Sequence, residues 1–218
     1  MRVTGGARKS KRLRYPLKGL RPTRNVVKQA IFNVLRPRLA GARVCDLFCG
    51  AGALGIEALS QGADSAVFVE QDRRTVRFLK ENLKTSHSRN LARACHEAER
   101  DSNTRVIAGD VLRVLPRLAG EEFDIILADP PYEQGLGSMV LALIAQCNLL
   151  RSDGVVALEH SRRDKPVVPA RLEVVKSYRY GDTMVSLFKR EGACSVLTGR
   201  GHDSASCPQR YNDIGGNE

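Results

Sequence analysis

Four consecutive residues, Asp129-Pro130-Pro131-Tyr132, have the groups needed to activate an amine attached to an aromatic base. The lone pair of such an amine is delocalised into the ring, so an enzyme must polarise the nitrogen. The Asp129 carboxylate can accept one N–H hydrogen bond and the Pro130 carbonyl the other, which aims the lone pair at an electrophile. Pro130 and Pro131 fix that carbonyl and remove two N–H donors. Tyr132 offers a stacking face to an extruded base, although a proline-rich strand end with Tyr132 in a small core is the alternative.

A glycine-rich loop, residues 50–55 (the glycine loop), lies between a predicted strand and a predicted helix. Gly50, Gly52 and Gly55 allow the backbone to approach a ligand closely, and the helix N-terminus presents unpaired N–H groups to a carboxylate or phosphate. Glu70, at the end of the next strand, is placed to accept hydrogen bonds from both hydroxyls of a ribose. The loop alone therefore predicts a nucleotide-like cofactor, and NAD and S-adenosylmethionine fit it equally.

Acidic residues at three strand ends favour S-adenosylmethionine over NAD. Asp46 lies on the first predicted strand, Asp110 follows the third, and Asp129 follows the fourth. This set of carboxylates would repel a pyrophosphate, whereas S-adenosylmethionine offers a sulfonium, an ammonium and an adenine amine. We expect Asp46 and the glycine loop to bind the amino-acid end, Glu70 the ribose and Asp110 the adenine N6. Each carboxylate has an alternative role as a turn or cap residue.

Three neighbouring residues complete the predicted cofactor site: Phe48, Gln71 and Val111.

Strands and helices alternate from residue 42 onwards, which predicts a doubly wound parallel sheet. Predicted strands span 43–48, 66–70, 105–108, 123–128 and 155–159, with helices between them, including one from about Gly137 to Leu150. Two further strands, 172–180 and 183–189, flank Gly181-Asp182 and predict an antiparallel hairpin. The predicted fold is α/β: a mainly parallel seven-stranded sheet that resembles the class I (Rossmann-like) methyltransferase fold rather than the NAD-binding one.

The positive charge is concentrated at the start of the chain. The formal net charge is +11, yet residues 1–45 contain thirteen Lys or Arg and no acidic residue. Such an arm suits a polyanion, because each cation that neutralises a phosphate releases condensed counterions. Nucleic acid is the expected partner, and a merely solvated basic tail is the alternative. The predicted RNA-binding residues are Arg2, Arg8, Lys9, Lys11, Arg12, Arg21, Thr23 and Arg24.

The arm precedes a helix that begins at Thr23 or Asn25 and stops before Pro37. We expect residues 1–22 to form an extended arm or hairpin that orders fully only on its partner, and the helix to dock it onto the core. The predicted organisation is an arm and docking helix at 1–40, a catalytic domain at 41–190 and a disordered tail at 191–218. Residues 85–104 are predicted to be a surface insertion.

The remaining composition argues against several other classes of protein. No apolar run approaches the roughly 18–20 residues of a membrane helix, and the N-terminus lacks a secretory signal, so we expect a cytoplasmic protein. Six cysteines show no Cys-x-x-Cys pair and no zinc spacing, which predicts reduced thiols and no metal site. Cys49 belongs to the predicted cofactor-binding loop, so a nucleophilic role is the alternative, but a space-filling role is favoured.

Over residues 2 to 190 the chain resembles the RsmD-type family of small-subunit 16S ribosomal RNA (guanine-N2) methyltransferases. The glycine loop and Asp129–Tyr132 are shared with other amino-methyltransferases, whereas the basic Gly-Gly arm and Gly19–Thr23 are specific to this family. The segments that carry the resemblance are residues 2–6 with Arg8, 19–23, 30–33, 46–59 and 129–132. The chain departs from the family pattern at Asn25-Val26, Cys49 and Ala51, in the insertion and in the tail.

The resemblance implies S-adenosylmethionine as cofactor and the N2 amine of a guanine in 16S rRNA, in an assembled or assembling small subunit, as substrate. We expect a monomer. One alternative is an N6-adenine methyltransferase acting on DNA or RNA, because the Asp-Pro-Pro-Tyr chemistry also serves adenine. A second alternative is an NAD-binding nucleic-acid regulator, and a third is a non-catalytic assembly factor.

Overall fold

A seven-stranded mixed sheet forms the centre of the computed structural model, which describes residues 2–16, 25–84, 103–131 and 135–192. The strand order is β3-β2-β1-β4-β5-β7-β6. β1 to β5 are parallel, whereas β7 runs antiparallel to both β5 and β6. The strands are β1 Arg43–Leu47, β2 Ser65–Glu70, β3 Thr104–Ala108, β4 Phe123–Ala128, β5 Leu150–Ser161, β6 Leu172–Tyr180 and β7 Thr183–Arg190.

This order confirms the predicted sheet and its closing hairpin. The dinucleotide-binding fold continues with a parallel sixth strand, so the antiparallel β7 separates this chain from NAD-binding proteins. Five α-helices accompany the strands in the described ranges: α1 Asn25–Leu35, α2 Ala53–Ser60, α3 Arg73–Lys84, α4 Val111–Val114 and α5 Leu136–Gln146. None of them has the length and apolar character needed to cross a membrane.

Alternate residues of the central strands face two separate parts of the core. On β1, Val44 belongs to the cluster that α1, α2 and α3 cover, whereas Cys45 and Leu47 belong to the cluster that α4 and α5 cover. A parallel strand buried on both faces must be apolar throughout. Asp46 is the polar exception among the four buried residues of β1, which makes it a candidate for binding a ligand.

The end of α5 differs from the sequence prediction. The helix ends at Gln146 rather than near Leu150, because Asn148 takes a left-handed conformation (φ 51°). Leu149 and Leu150 are buried and continue the apolar pattern of the helix, but Leu150 instead pairs with Phe123 as the first residue of β5. The strand therefore begins five residues before the predicted start at Val155.

The N-terminal segment, residues 2–16, packs against the core of the protein without a bound partner. Val3 N–H donates to the Lys11 carbonyl at 3.0 Å and Ser10 N–H to the Val3 carbonyl at 2.8 Å, which closes a small loop. Val3 and Leu13 are 1% and 6% exposed and join the main core. The expectation that the arm orders fully only on its partner is therefore wrong for residues 2–16, because Val3 and Leu13 anchor this segment in the core.

A helix is present where the docking helix is predicted, and it contacts the N-terminal segment. α1 begins at Asn25, and the Lys28 ammonium at its first turn donates to the Arg2 carbonyl at 2.6 Å. The insertion up to residue 102, the tail from residue 193, and the predicted site residues Arg21, Thr23, Arg24 and Tyr132 lie outside the described residues.

Candidate active site

Asp46 is the centre of a buried acidic site at the carboxyl edge of the sheet. Its side chain is 1% exposed, and Gly55 N–H donates to Oδ2 at 2.7 Å. Oδ1 is buried with no hydrogen-bond partner among the described residues. Burial raises the pKa of Asp46 to about 8; the Gly55 N–H opposes this shift, and the nearby charges of Asp129 and Glu70 reinforce it. A buried acceptor without a donor suits a cationic ligand group, as the ammonium of S-adenosylmethionine is.

The glycines of the loop are needed for packing within the protein as well as for the close approach of a ligand to the backbone. A Cβ at Gly55 would lie 2.3 Å from a ring carbon of Phe68 and 2.9 Å from Asp46 Oδ2. A Cβ at Gly52, where φ is +87°, would lie 2.5 Å from Leu79. Glycine at both positions therefore brings α2 close against β2 and α3. Phe48, just before the loop, also has a left-handed backbone (φ 55°), a strained conformation typical of functional sites.

Glu70 shapes the glycine loop from the end of β2. Its Oε2 accepts a hydrogen bond from Gly50 N–H at 2.9 Å, and Oε1 accepts one from Asp72 N–H at 2.8 Å. Each carboxylate oxygen can accept a second hydrogen bond, so a pair of ribose hydroxyls remains compatible with this position. Gln71 follows it on the exposed surface.

Asp110 is a helix cap. Its Oδ1 accepts hydrogen bonds from Leu112 N–H at 2.8 Å and Arg113 N–H at 3.3 Å, which caps α4. The alternative noted for this residue is therefore present in the structure, and Oδ2 is the oxygen left for an adenine amine. Val111, next in the chain, is 3% exposed and packs beneath it.

Asp129 directly follows β4, the strand beside β1. It is half-buried and follows Ala128, which pairs with Leu47 of β1, so Asp129 and Asp46 lie at the same edge of the sheet. The charge of Asp129 is one of the causes that raise the pKa of Asp46. Pro130 is buried, and Pro131 is exposed. Both prolines line a recess (the proline recess) whose opposite wall includes Gly137, His160 and Ser161.

His160 is a residue of this site that the sequence reasoning missed. It lies at the end of β5, is 7% exposed, and has Nε2 2.9 Å from Ser186 Oγ and Nδ1 2.9 Å from the Ser161 carbonyl. The available signal was its position: the carboxyl end of the strand next to β4. Because both ring nitrogens are engaged, His160 supports the wall of the recess.

Cys49 is a buried structural residue. Its side chain is 7% exposed, and burial, aided by the charges of Asp46 and Glu70, raises the pKa of its thiol. The thiol therefore stays protonated and is a poor nucleophile, which supports the space-filling interpretation.

The described part of the basic arm presents cations of two kinds. Arg2, Lys9 and Arg12 are exposed, whereas Arg8 and Lys11 are half-buried. Burial, together with the charge of Arg8, lowers the pKa of Lys11 to about 8.

The strand order, the glycine loop after β1 and the carboxylates at successive strand ends together define a class I, S-adenosylmethionine-dependent methyltransferase. The chain belongs to the family described as conserved hypothetical protein 95, whose model matches residues 1–189.

Proteins similar to this chain are named as methyltransferases. "Ribosomal RNA small subunit methyltransferase D" of Escherichia coli (strain K12) is 30% identical over 193 residues, which cover 88% of this chain and 90% of that protein. "Putative rRNA methyltransferase YlbH" of Bacillus subtilis (strain 168) is 35% identical over 196 residues, covering 88% and 100%. The solved structure of a "Putative methyltransferase yhhF" from Escherichia coli matches with a TM-score of 0.73 at 30% identity, covering 88% and 98%.

Proposed function

We propose that this protein transfers the methyl group of S-adenosylmethionine to the exocyclic N2 amine of a guanine in 16S rRNA of the small ribosomal subunit. The observation that carries the proposal is the pairing of two carboxylates at adjacent strand ends. Asp46 has a buried oxygen that meets no donor among the described residues, and Asp129 with the Pro130 carbonyl follows the adjacent strand. The names of the relatives in Escherichia coli and Bacillus subtilis support rRNA as the substrate.

The donor site is assigned to residues of β1, β2 and β3. Asp46 Oδ1 would accept the ammonium, the N–H groups of the glycine loop would bind the carboxylate, and Glu70 would bind the ribose hydroxyls. Asp110 Oδ2 would accept the adenine amine. Phe48, Gln71 and Val111 border the same edge of the sheet. The bound cofactor supplies an electrophilic methyl group on a sulfonium.

The acceptor amine is oriented by the end of β4. Asp129 and the Pro130 carbonyl each accept one N–H, so the nitrogen lone pair is turned out of the base plane. Pro130 is buried and Pro131 directly follows it, which holds that carbonyl rigid. The stacking role of Tyr132 stays a prediction. After transfer the nitrogen is cationic and acidic, and its proton leaves to Asp129 or to water.

The basic arm supplies the RNA contacts in this proposal. The cations of residues 2–16 are carried on a segment that is already folded against α2 and α3, so RNA meets a formed surface. We assign residues 1–40 to RNA binding and docking, 41–190 to catalysis and 191–218 to a tail. A monomer acting in the cytoplasm, where ribosomal subunits are found, agrees with this assignment.

The decisive experiment uses small subunits from a strain that lacks this gene. Purified protein and S-adenosylmethionine should restore N2-methylguanosine, measured by mass spectrometry of nucleosides from 16S rRNA. Asp129→Asn should lower the rate by roughly 10²–10⁴-fold, whereas the exposed control Asp153→Asn should not change it. Appearance of N6-methyladenosine instead would favour the adenine alternative.

The NAD-binding alternative is separated by calorimetry. We expect S-adenosylhomocysteine to bind and NADH not to bind, because the acidic residues Asp46, Asp110 and Asp129 suit a ligand with an ammonium and an adenine amine and disfavour a pyrophosphate. Binding of NADH without methyl transfer would contradict the proposal.

A further inference from the structure

Asn82 connects the N-terminal segment to the glycine loop. It lies on α3 and is 2% exposed. Its Nδ2 donates to the Ala51 carbonyl at 3.0 Å and to the Arg14 carbonyl at 2.9 Å, and its Oδ1 accepts from Arg14 N–H at 2.8 Å. One buried amide thus bonds the middle of the glycine loop and both backbone groups of a residue in the basic segment.

Other contacts draw the same two regions together. Tyr15, the residue after Arg14, packs against the core cluster that contains Ala53 and Leu54. Burial, aided by the negative charge of Asp46, raises the pKa of the Tyr15 phenol. The Lys11 ammonium donates to the Asn82 carbonyl at 3.4 Å. The segment that carries the predicted RNA-binding cations is therefore held against α3 and, through Asn82, against the glycine loop.

At its other end, the segment is fixed to the helix that the glycine loop opens. Thr4 N–H and Gly5 N–H donate to the Glu57 carboxylate of α2 at 2.8 and 2.7 Å, and Arg8 N–H donates to Ser60 Oγ at 2.8 Å. The Ser60 hydroxyl donates in turn to the Gly5 carbonyl at 2.6 Å. The segment therefore cannot shift without disturbing α2 or the loop.

We propose that Asn82 is a positioning residue that couples the two ligands: donor bound at the glycine loop fixes the N-terminal segment, and RNA bound at the segment fixes the loop. The Asn82 amide makes all three hydrogen bonds only when both the glycine loop and the N-terminal segment are in the positions described. A ligand that orders one region lowers the entropy cost of ordering the other, and this coupling is reciprocal. The effect of RNA on the glycine loop rests on the proposed function. The effect of the methyl donor on the N-terminal segment does not depend on the identity of the RNA.

The test is hydrogen–deuterium exchange on the full chain, with and without saturating S-adenosylhomocysteine and without RNA. The amide of Arg14 reports directly, because it donates to Asn82. In the wild type we expect the ligand to slow exchange in residues 10–16 by about fivefold or more. In Asn82→Asp, which keeps an acceptor for Arg14 N–H but loses both donated bonds, the effect should fall below about twofold.

Glu81→Ala is the matched control. Glu81 is the next residue of α3, and its carboxylate contacts the exposed Arg14 guanidinium at 3.1 Å from outside. This variant removes a contact with the segment but keeps the three Asn82 bonds, so it should retain the full protection. Asn82→Ala, with its melting temperature recorded, separates a loss of coupling from a general loss of stability.

A second measurement addresses the RNA half. A 16S rRNA fragment should tighten S-adenosylhomocysteine binding in the wild type by about fivefold or more, and much less in Asn82→Asp. The inference is overturned if the ligand binds the wild type but leaves exchange in residues 10–16 unchanged, or if Asn82→Asp keeps the protection. If the protection appears but no 16S rRNA is methylated, the coupling stands and the proposed substrate is wrong. If the ligand does not bind at all, both fail.

Discussion

Asp46 and Gly55 are joined by a 2.7 Å hydrogen bond from the Gly55 N–H to Oδ2, and this bond leaves Oδ1 as a buried acceptor without a donor in the described part of the chain. The bond also fixes the start of α2 against β1. A carboxylate with one oxygen committed to the protein and the other unmatched is ready to bind a cation. The first two predictions depend on this asymmetry.

Asp46→Asn should weaken S-adenosylhomocysteine binding by roughly 10- to 100-fold, because a charge-assisted hydrogen bond to the ammonium becomes a neutral one. The amide oxygen can still accept from Gly55 N–H, so the fold should be retained and the melting temperature should not fall. Isothermal titration calorimetry and a thermal melt measure both. The exposed Asp64→Asn is the control, and equal affinities for the two variants would contradict the assignment of Asp46.

Ligand binding at pH 7 should release close to one proton from the protein. The raised pKa, about 8, means that Asp46 is mostly protonated without ligand, and a bound ammonium favours the charged form. Affinity should therefore rise between pH 6 and pH 8. Calorimetry in buffers of different ionisation enthalpy counts the proton, and Asp46→Asn should release far less. An absence of proton release in the wild type would mean that another group binds the ammonium.

The same shift predicts the pH dependence of stability. A carboxyl group whose folded pKa is raised above the unfolded value of 3.8 stabilises the fold at low pH, and this contribution is lost as pH rises from about 4 to about 8. S-adenosylhomocysteine should therefore raise the melting temperature more at pH 8 than at pH 6.

Lys28→Met should lower the free energy of unfolding by about 3–5 kcal/mol, the cost of leaving a buried charge unpaired. Lys28 and Glu57 are fully buried and 2.7 Å apart, and Glu57 also accepts from Thr4, Gly5 and Gln61. Denaturant unfolding is the measurement. Lys80→Met, at an exposed position of α3, should change it by less than about 0.5 kcal/mol.

The loss of stability at acidic pH should also depend on the Lys28–Glu57 pair. Burial raises the pKa of Glu57, but hydrogen bonds from Lys28, Thr4 and Gln61 outweigh it and hold the pKa below its ordinary value of 4.5. A carboxylate with a lowered pKa in the folded state contributes to stability when the pH is above the pKa of the unfolded chain. This contribution is lost as the pH falls through the pKa of the folded state. The wild type should therefore lose stability below about pH 4.5, and Glu57→Gln should flatten that loss.

Gly6→Ala should release the N-terminal segment. At Gly6 φ is +70°, and an added Cβ would lie 1.6 Å from the Ser60 carbonyl oxygen, so the segment would have to leave α2. Trypsin should then cut faster at Arg8, Lys9 and Lys11. Gly41→Ala is the control, because Gly41 has a similar φ of +73° but no atom of the described residues lies within 4 Å of the added Cβ. Equal cleavage rates in the two variants would show that backbone strain alone is responsible.

Neutralising the basic segment should reduce the salt dependence of RNA binding. Each phosphate contact contributes about 0.7–0.9 to the slope of log K against log salt, so four substitutions to Gln should lower it by roughly 3. Affinity for S-adenosylhomocysteine should change little, because the Arg14 backbone bonds to Asn82 and the packing of Tyr15 are both kept. The substitutions are at Arg8, Lys9, Lys11 and Arg12, and the control set on α3 is Arg73, Arg74, Arg77 and Lys80.

The sequence by itself determined the order of strands and helices, the glycine loop and the Asp-Pro-Pro motif. These features are local: alternating apolar segments, turn residues and short motifs are encoded within a few neighbouring residues. The Asp72 cap is an example, since its carboxylate accepts from Arg74 N–H and Thr75 N–H nearby. The excess of positive charge in residues 1–45 is likewise a property of composition.

Only the tertiary structure decided which oxygen of Asp46 is unmatched and that Asn82 joins Arg14 to Ala51. The tertiary structure also decided that the N-terminal segment packs against the core through Val3 and Leu13 and is bonded to the Glu57 carboxylate of α2. Each of these outcomes depends on groups separated by tens of residues that meet across packed elements. Burial and hydrogen-bond partners at such distances follow from packing, which no local pattern encodes.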